Sequence, residues 1–221
     1  MFHNENSNGK GASMKRLLLA TIASAALATP AFAETQSFDL SGFTRVSASA
    51  GTTVNVTVGG DYSVVAESSA KGLERLRVEV KGDELQIGRK HKTMSWGRGV
   101  EVVVNVTLPA LSGMDVSSGA ELDATGVDAG SFDIDASSGG SLDVTGRCDA
   151  LNVDVSSGGD IDARGLECRT AVADASSGGS ADIYASESII GDASSGGSID
   201  VYGKPKNVNK DTSSGGSVSI E

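Results

Sequence analysis

From Met114 to the C-terminus, apolar and polar residues alternate in short runs. Asp133-Ile134-Asp135-Ala136-Ser137 is one such run, and Ser141-Leu142-Asp143-Val144-Thr145 follows it after Gly139-Gly140. A period of two is that of a strand with one face buried. The runs also recur. Ser-Ser-Gly begins at Ser117, Ser137, Ser156, Ser176, Ser194 and Ser213, with spacings of 20, 19, 20, 18 and 19 residues. A fixed interval of that length predicts stacked coils, each made of strand, tight glycine corner and strand. Glycine suits the corner because backbone with φ > 0 carries no penalty there, and because coils about 4.8 Å apart leave little room for a Cβ.

Stacking must place like residues in columns, and it does. Five positions after the start of Ser-Ser-Gly stand Leu122, Leu142, Ile161, Ala181, Ile199 and Val218. Seven positions after it stand Ala124, Val144, Ala163, Ile183, Val201 and Ile220. These columns predict a thin aliphatic interior. The fold class expected is all-β: a parallel β-helix, or solenoid, of coils of about 19–20 residues over 112–221, with a less regular β cap over 34–111. Within the cap, Thr53 to Val58, Leu76 to Val80, Glu84 to Ile87 and Val100 to Leu108 read as strands. An antiparallel sandwich is the rival architecture, since its turns have similar spacing.

Residues 1–33 stand apart. Met14-Lys15-Arg16, an apolar stretch of 12 residues from Leu17 to Ala28, and Ala31-Phe32-Ala33 follow the order of a secretory signal peptide, preceded by a polar non-structural extension. The apolar stretch is shorter than the roughly 20 residues of a membrane-spanning helix, and no second candidate follows. An exported protein is expected, periplasmic or on the cell surface, with no transmembrane segment in its mature part.

Composition sharpens the picture. Glycine is 29 of 221 residues, about twice the usual share of roughly 7%, while aromatics are 4%, which excludes a core built on large rings. The net charge of −11 removes the electrostatic footprint of nucleic-acid binding. The acidity has an address: residues 34–101 carry nine basic and nine acidic side chains, whereas 102–221 carry six against nineteen. Two outward columns hold much of it. Asp115, Asp135, Asp154, Asp174, Asp192 and Asp211 form the first; Asp123, Asp143, Asp162, Asp182 and Asp200 form the second, which Ser219 ends. Like charges on neighbouring strands repel. Ca²⁺ held by Asp135, Asp154, Asp174 and Asp192 would offset the repulsion; counterions and water over an acidic face would do so without a bound metal or any cofactor.

Three further features carry candidate chemistry. Cys148 and Cys168 each precede a Ser-Ser-Gly by eight residues, so stacking brings them together as a disulfide or as a pair of buried thiols. The segment from Gly88 to Gly99 gathers Lys90, His91, Lys92, Trp96 and Arg98 around the sole tryptophan, and reads either as a grip for an anionic glycan or lipid headgroup or as a solvated connection. Solenoid ends and flat β-faces can pair, which makes self-association a further reading.

Phe38-Asp39-Leu40-Ser41-Gly42-Phe43, the Val102 to Leu108 strand with Pro109-Ala110-Leu111, the serial Ser-Ser-Gly-Gly coils and Tyr202-Gly203-Lys204-Pro205 together resemble the exported bacterial family known as putative auto-transporter adhesin, head GIN domain. The resemblance spans about residues 38 to 221. It implies a β-helical fold and a surface or adhesion role, and transfers no catalytic residues. It does not extend to a translocator barrel after Glu221, so self-export is not expected. A non-catalytic envelope module that binds a glycan or protein component is the resulting expectation. Its alternative is a carbohydrate-active β-helix enzyme, a lyase or hydrolase. Coil lengths that vary by two residues leave little loop for a cleft, and carboxylates that follow the repeat mark no singular acid/base pair.

Overall fold

The computed structural model describes residues 34–90, 96 and 100–221. Four long strands carry the repeat: β9 (Glu121–Ala136), β10 (Ser141–Val155), β11 (Asp160–Ala175) and β12 (Ser180–Ala193). Each is one coil that bends partway along, and each pairs in parallel with the next. The aliphatic columns meet in register. Leu122, Leu142, Ile161 and Ala181 are directly paired, and all are buried. The last coil is split into β13 (Ser198–Tyr202) and β14 (Asn207–Thr212), and β15 (Ser217–Ile220) pairs outside β13.

The corner between coils is a tight turn. In Ser156-Ser157-Gly158-Gly159 the amide of Gly159 donates to the carbonyl of Ser156 at 2.9 Å, and the two central residues have φ of 52° and 70°. Two left-handed central residues define a type I′ turn. The fourth residue is glycine for a different reason: a Cβ at Gly159 would stand 2.6 Å from the carbonyl oxygen of Ala136, on the corner below. The opposite bend takes up the variation in coil length. The register shifts near Gly146 in β10, and again between Ala163 and Thr170 where β11 meets the shorter coil of β12.

Parallel coils continue into the N-terminal region. Two short strands, β2 (Arg45–Ala48) and β8 (Gly113–Val116), pair in parallel on one face, and β8 pairs with the second half of β9. On the other face β3 (Thr53–Val58) pairs in parallel with the first half of β9. Outside them lie β6 (Glu84–Arg89) against β2 and β7 (Val102–Leu108) against β3, again parallel. Thus β6 and β7 lie spatially outside β2 and β3, the reverse of chain order.

Only the outermost layer is antiparallel. β4 (Ser63–Ser68) pairs with β7, β1 (Glu34–Phe38) with β4, and β5 (Leu76–Lys81) with β6. A six-residue helix, α1 (Ala70–Arg75), links β4 to β5, with the Ser69 side chain accepting from the Gly72 amide. This layer covers the parallel edge that the outermost coil would otherwise present to solvent. One core runs from Phe43 and Leu85 at this end to Val201 and Val218 at the other.

Candidate functional site

Three places in the solenoid carry the candidate chemistry. The first is the wall beside the serine corners. Asp115, Asp135, Asp154, Asp174, Asp192 and Asp211 are paired one to the next across successive coils, and the last four of them, with Ser156, Ser176 and Ser194, line an open groove of about 680 Å³. Partial burial raises the carboxyls of Asp135 and Asp174 above the usual range, and the aspartates on adjacent coils push in the same direction. At the N-terminal end the ladder is relieved: the Ser47 hydroxyl donates to Asp115 at 3.0 Å, and Arg45 pairs with Asp133 at 2.9 Å.

The second ladder runs from Asp123 to Asp200 in register and is neutral above that point, where Asn55 bonds Asn105 at 2.9 Å. Arg164 enters it, bonding Asp162 and lying 3.6 Å from Asp182. The hydrogen bonds from Arg164 hold Asp162 below the usual carboxylate range. Among the described residues, no group of three or more His, Cys, Asp or Glu side chains is placed to hold a metal ion. The carboxylates run in a line from coil to coil, whereas Ca²⁺ takes six to eight converging oxygens.

The second place is the segment after β6. Lys90 is exposed, its ammonium donating to the carbonyl of Glu74 at 2.7 Å. His91, Lys92 and Arg98 lie outside the described residues. Trp96 turns inward. Its side chain is buried, with the residue 8% exposed, and its indole N–H donates to the carbonyl of Ala50. Arg75 bonds the Trp96 carbonyl at 2.6 Å, and the Arg89 guanidinium is 5.9 Å from the ring centre. The indole is therefore packed inward against the corner at Ser49–Thr52, where it has no free face to stack on a sugar.

The third place is the bend opposite the serine corners. Cys148 and Cys168 are register partners on β10 and β11 with Cα atoms 4.5 Å apart, and their sulfurs are bonded. Both are buried. Beside them Arg147 grips Asp128 with two hydrogen bonds of 3.0 and 2.6 Å, and Arg169 grips Glu187 with two of 3.0 and 3.1 Å. Sequence reasoning missed these pairs because their partners are one coil apart and follow no repeated phrase.

With the geometry established, the comparisons fall into place. The family model of the putative auto-transporter adhesin, head GIN domain matches residues 42–205. The chain belongs to this family. Solved structures share the fold at low identity. A Bacteroides fragilis protein described as a putative adhesin is 14% identical with a TM-score of 0.69, over 86% of this chain and 97% of that one. Proteins of the same description from Parabacteroides distasonis and Parabacteroides merdae are 16% and 14% identical, each with a TM-score of 0.53, over 87% of this chain and 98% and 97% of theirs. At that identity the likeness speaks for the fold alone. No curated protein matches the head GIN chain. Among the described residues no helix is long and apolar enough to cross a membrane, which says nothing of membrane β-barrels.

Proposed function

We propose that this head GIN chain is an exported, non-catalytic module of the cell envelope that binds an envelope glycan or protein. The observation that carries the reading is the unbroken parallel ladder from β6 and β7 to β15. Its coils grow no long insertion at the serine corner, and its carboxylates repeat from coil to coil instead of converging at one place. Such a wall offers extended, rigid contact surface and no pair of groups set apart for acid/base work. The secretory pattern of residues 1–33 supplies the route out of the cytoplasm. The basic side chains of 88–99 belong to the same proposal as a contact for anionic envelope material, with Trp96 anchoring the segment from inside.

The test has two parts. Cell fractionation should recover the mature chain with the periplasm or cell surface, and the purified chain should co-sediment with isolated envelopes. Incubation with cell-wall and acidic polysaccharides should release neither reducing nor unsaturated ends. Release of such ends would replace the binding module with an enzyme, and recovery in the cytoplasm would overturn the reading altogether.

A further inference from the structure

The bend opposite the serine corners is the one edge of the repeat whose register shifts, and a groove of about 380 Å³ opens there. That volume lies within the roughly 300–1,000 Å³ of small-molecule sites. Tyr184 lines it together with Arg147, Asp149, Glu167, Arg169 and Ser186, over the buried disulfide. Elsewhere the outward positions of the repeat hold mainly Ser, Thr and Asp, so a ring here is out of pattern. Tyr184 is half-buried, and Tyr202 is its register partner. The ring is held in place from behind: a Cβ at Gly203 would fall 2.9 Å from its Cζ.

The arginines of the groove are paired across coils. Arg147 and Arg169 are each locked fork-to-fork onto a carboxylate of a neighbouring coil, and Arg169 lies 3.7 Å from Asp149. The Ser186 hydroxyl donates to the carbonyl of Cys168 at 3.3 Å. Guanidinium and carboxylate planes of this kind keep further donors and acceptors after pairing, in fixed directions. Because cations and anions alternate along the bend, the groove has no surplus cation to recruit an anion.

A flat, partly apolar ring beside preset planar donors and acceptors of both signs matches one chemical class. We infer that this groove binds a neutral saccharide unit, its C–H face against Tyr184 and its hydroxyls against Arg147, Arg169, Asp149 and Glu167. The inference rests on the binding-module reading and names the ligand class and the site. The cross-coil pairing of Arg147 and Arg169 supports it, since it restricts part of the side-chain freedom that binding would otherwise freeze.

The experiment uses the full chain with three soluble probes: dextran, chito-oligosaccharide and polygalacturonate. Binding is read by saturation-transfer NMR and affinity electrophoresis, and co-sedimentation with isolated envelopes is run in parallel. Saturable binding of a neutral probe is expected, with transfer to sugar ring protons. Tyr184→Ala should weaken it at least tenfold while thermal melting is little changed, and Tyr184→Phe should retain it. Equal binding by Tyr184→Ala, or preference for polygalacturonate, would overturn the groove. So would absence of binding to all three probes. Envelope co-sedimentation that persists in those cases would leave the binding module standing without this site; loss of both would remove the module as well.

Discussion

Trp96 donates its indole N–H to the carbonyl of Ala50, the residue that opens the left-handed pair at the corner Ser49–Thr52. Ala50 and Gly51 have φ of 63° and 69°, close to the 56° and 68° of Ser118 and Gly119. This corner is therefore built like the serine corners without their sequence, and there the Thr52 hydroxyl donates to the Ser49 carbonyl at 3.1 Å. Replacing Trp96 with Ala removes a buried ring and leaves a cavity, at a cost of roughly 3–5 kcal/mol. Trp96→Phe, which loses chiefly the hydrogen bond, should cost about 1 kcal/mol. Denaturant melts of both variants check the order. Tryptophan emission of the native chain should be that of a buried indole and should shift to the red on unfolding.

The repeat half was legible in the sequence because its corners need the same residues each time. Leu142 beside Ile161 and Asp154 beside Asp174 follow directly from aligning Ser-Ser-Gly. The corner at Ser49–Thr52 was not legible, since Ala50 and Thr52 replace the serine and glycine that give the phrase away. Neither was the reversal that sets β6 and β7 outside β2 and β3, because strand patterning records which face is buried and not which neighbour lies beside it. The burial of Trp96 was not legible for a related reason. Basic residues flank it in sequence, yet tertiary packing turns the ring inward.

At the serine corners, the fourth-position glycine should respond differently from the second-position serine. Gly159→Ala places a Cβ 2.6 Å from a backbone oxygen that cannot swing away, and should cost about 2 kcal/mol. Ser157 has φ of 52°, a conformation costing a residue with a Cβ about 1 kcal/mol, so Ser157→Gly or Ser157→Asn should leave stability equal or slightly higher. Ala120 occupies the equivalent fourth position where the corner beneath is Ser49–Thr52, so the prohibition belongs to stacked serine corners and not to the turn itself. Melting temperatures of the three variants test the contrast, and a neutral Gly159→Ala would contradict it.

The disulfide joins adjacent coils across a sequence separation of 20 residues. In the chain-entropy model a closure of that size stabilises the fold by about 3 kcal/mol. Alkylation of the exported chain without reductant should label neither cysteine, and the double variant Cys148→Ala, Cys168→Ala should lose about that much in denaturant melts. Two labels on the native chain would show that the thiols remain free after export.

Acidity gives the repeat a distinctive pH profile. Asp135 and Asp174 have folded-state pKa values raised by burial and then by adjacent aspartates, so between their unfolded and folded values the native state binds more protons than the unfolded chain. Stability should therefore rise as pH falls from 7 toward about 4. Below that the opposite group takes over. Asp128, Asp162 and Glu187 are lowered by hydrogen bonds from Arg147, Arg164 and Arg169, and the stability they contribute is lost as pH falls through their folded values. Melting scans should show a maximum on the acid side of neutrality, before the Arg-paired carboxylates are protonated, and added NaCl at pH 7 should raise the melting temperature by screening the ladders. A monotonic fall on acidification from pH 7 would show that ladder repulsion is already neutralised.

Lys210 stands in an inward column. Its register partner is Gly191, which follows Ala173 and Val153 along the interior. At the last coil the ammonium turns over the end of the core and donates to the carbonyl of Val218 at 3.0 Å, leaving Val218 only 7% exposed. Around it the end is less covered: Val208 and Ile220, both from inward columns, are 44% and 36% exposed, and β14 and β15 each pair on one side. An edge of this kind recruits further strands unless a charge obstructs the next layer, because stacking would strip water from the ammonium. Lys210→Val keeps a side chain for the column and removes that obstacle. Sedimentation velocity should then show end-to-end dimers or longer species at concentrations where the parent chain sediments more slowly, and Lys210→Arg should behave like the parent. If Lys210→Val and the parent sediment alike, the end is protected by its short strands and not by the inward charge.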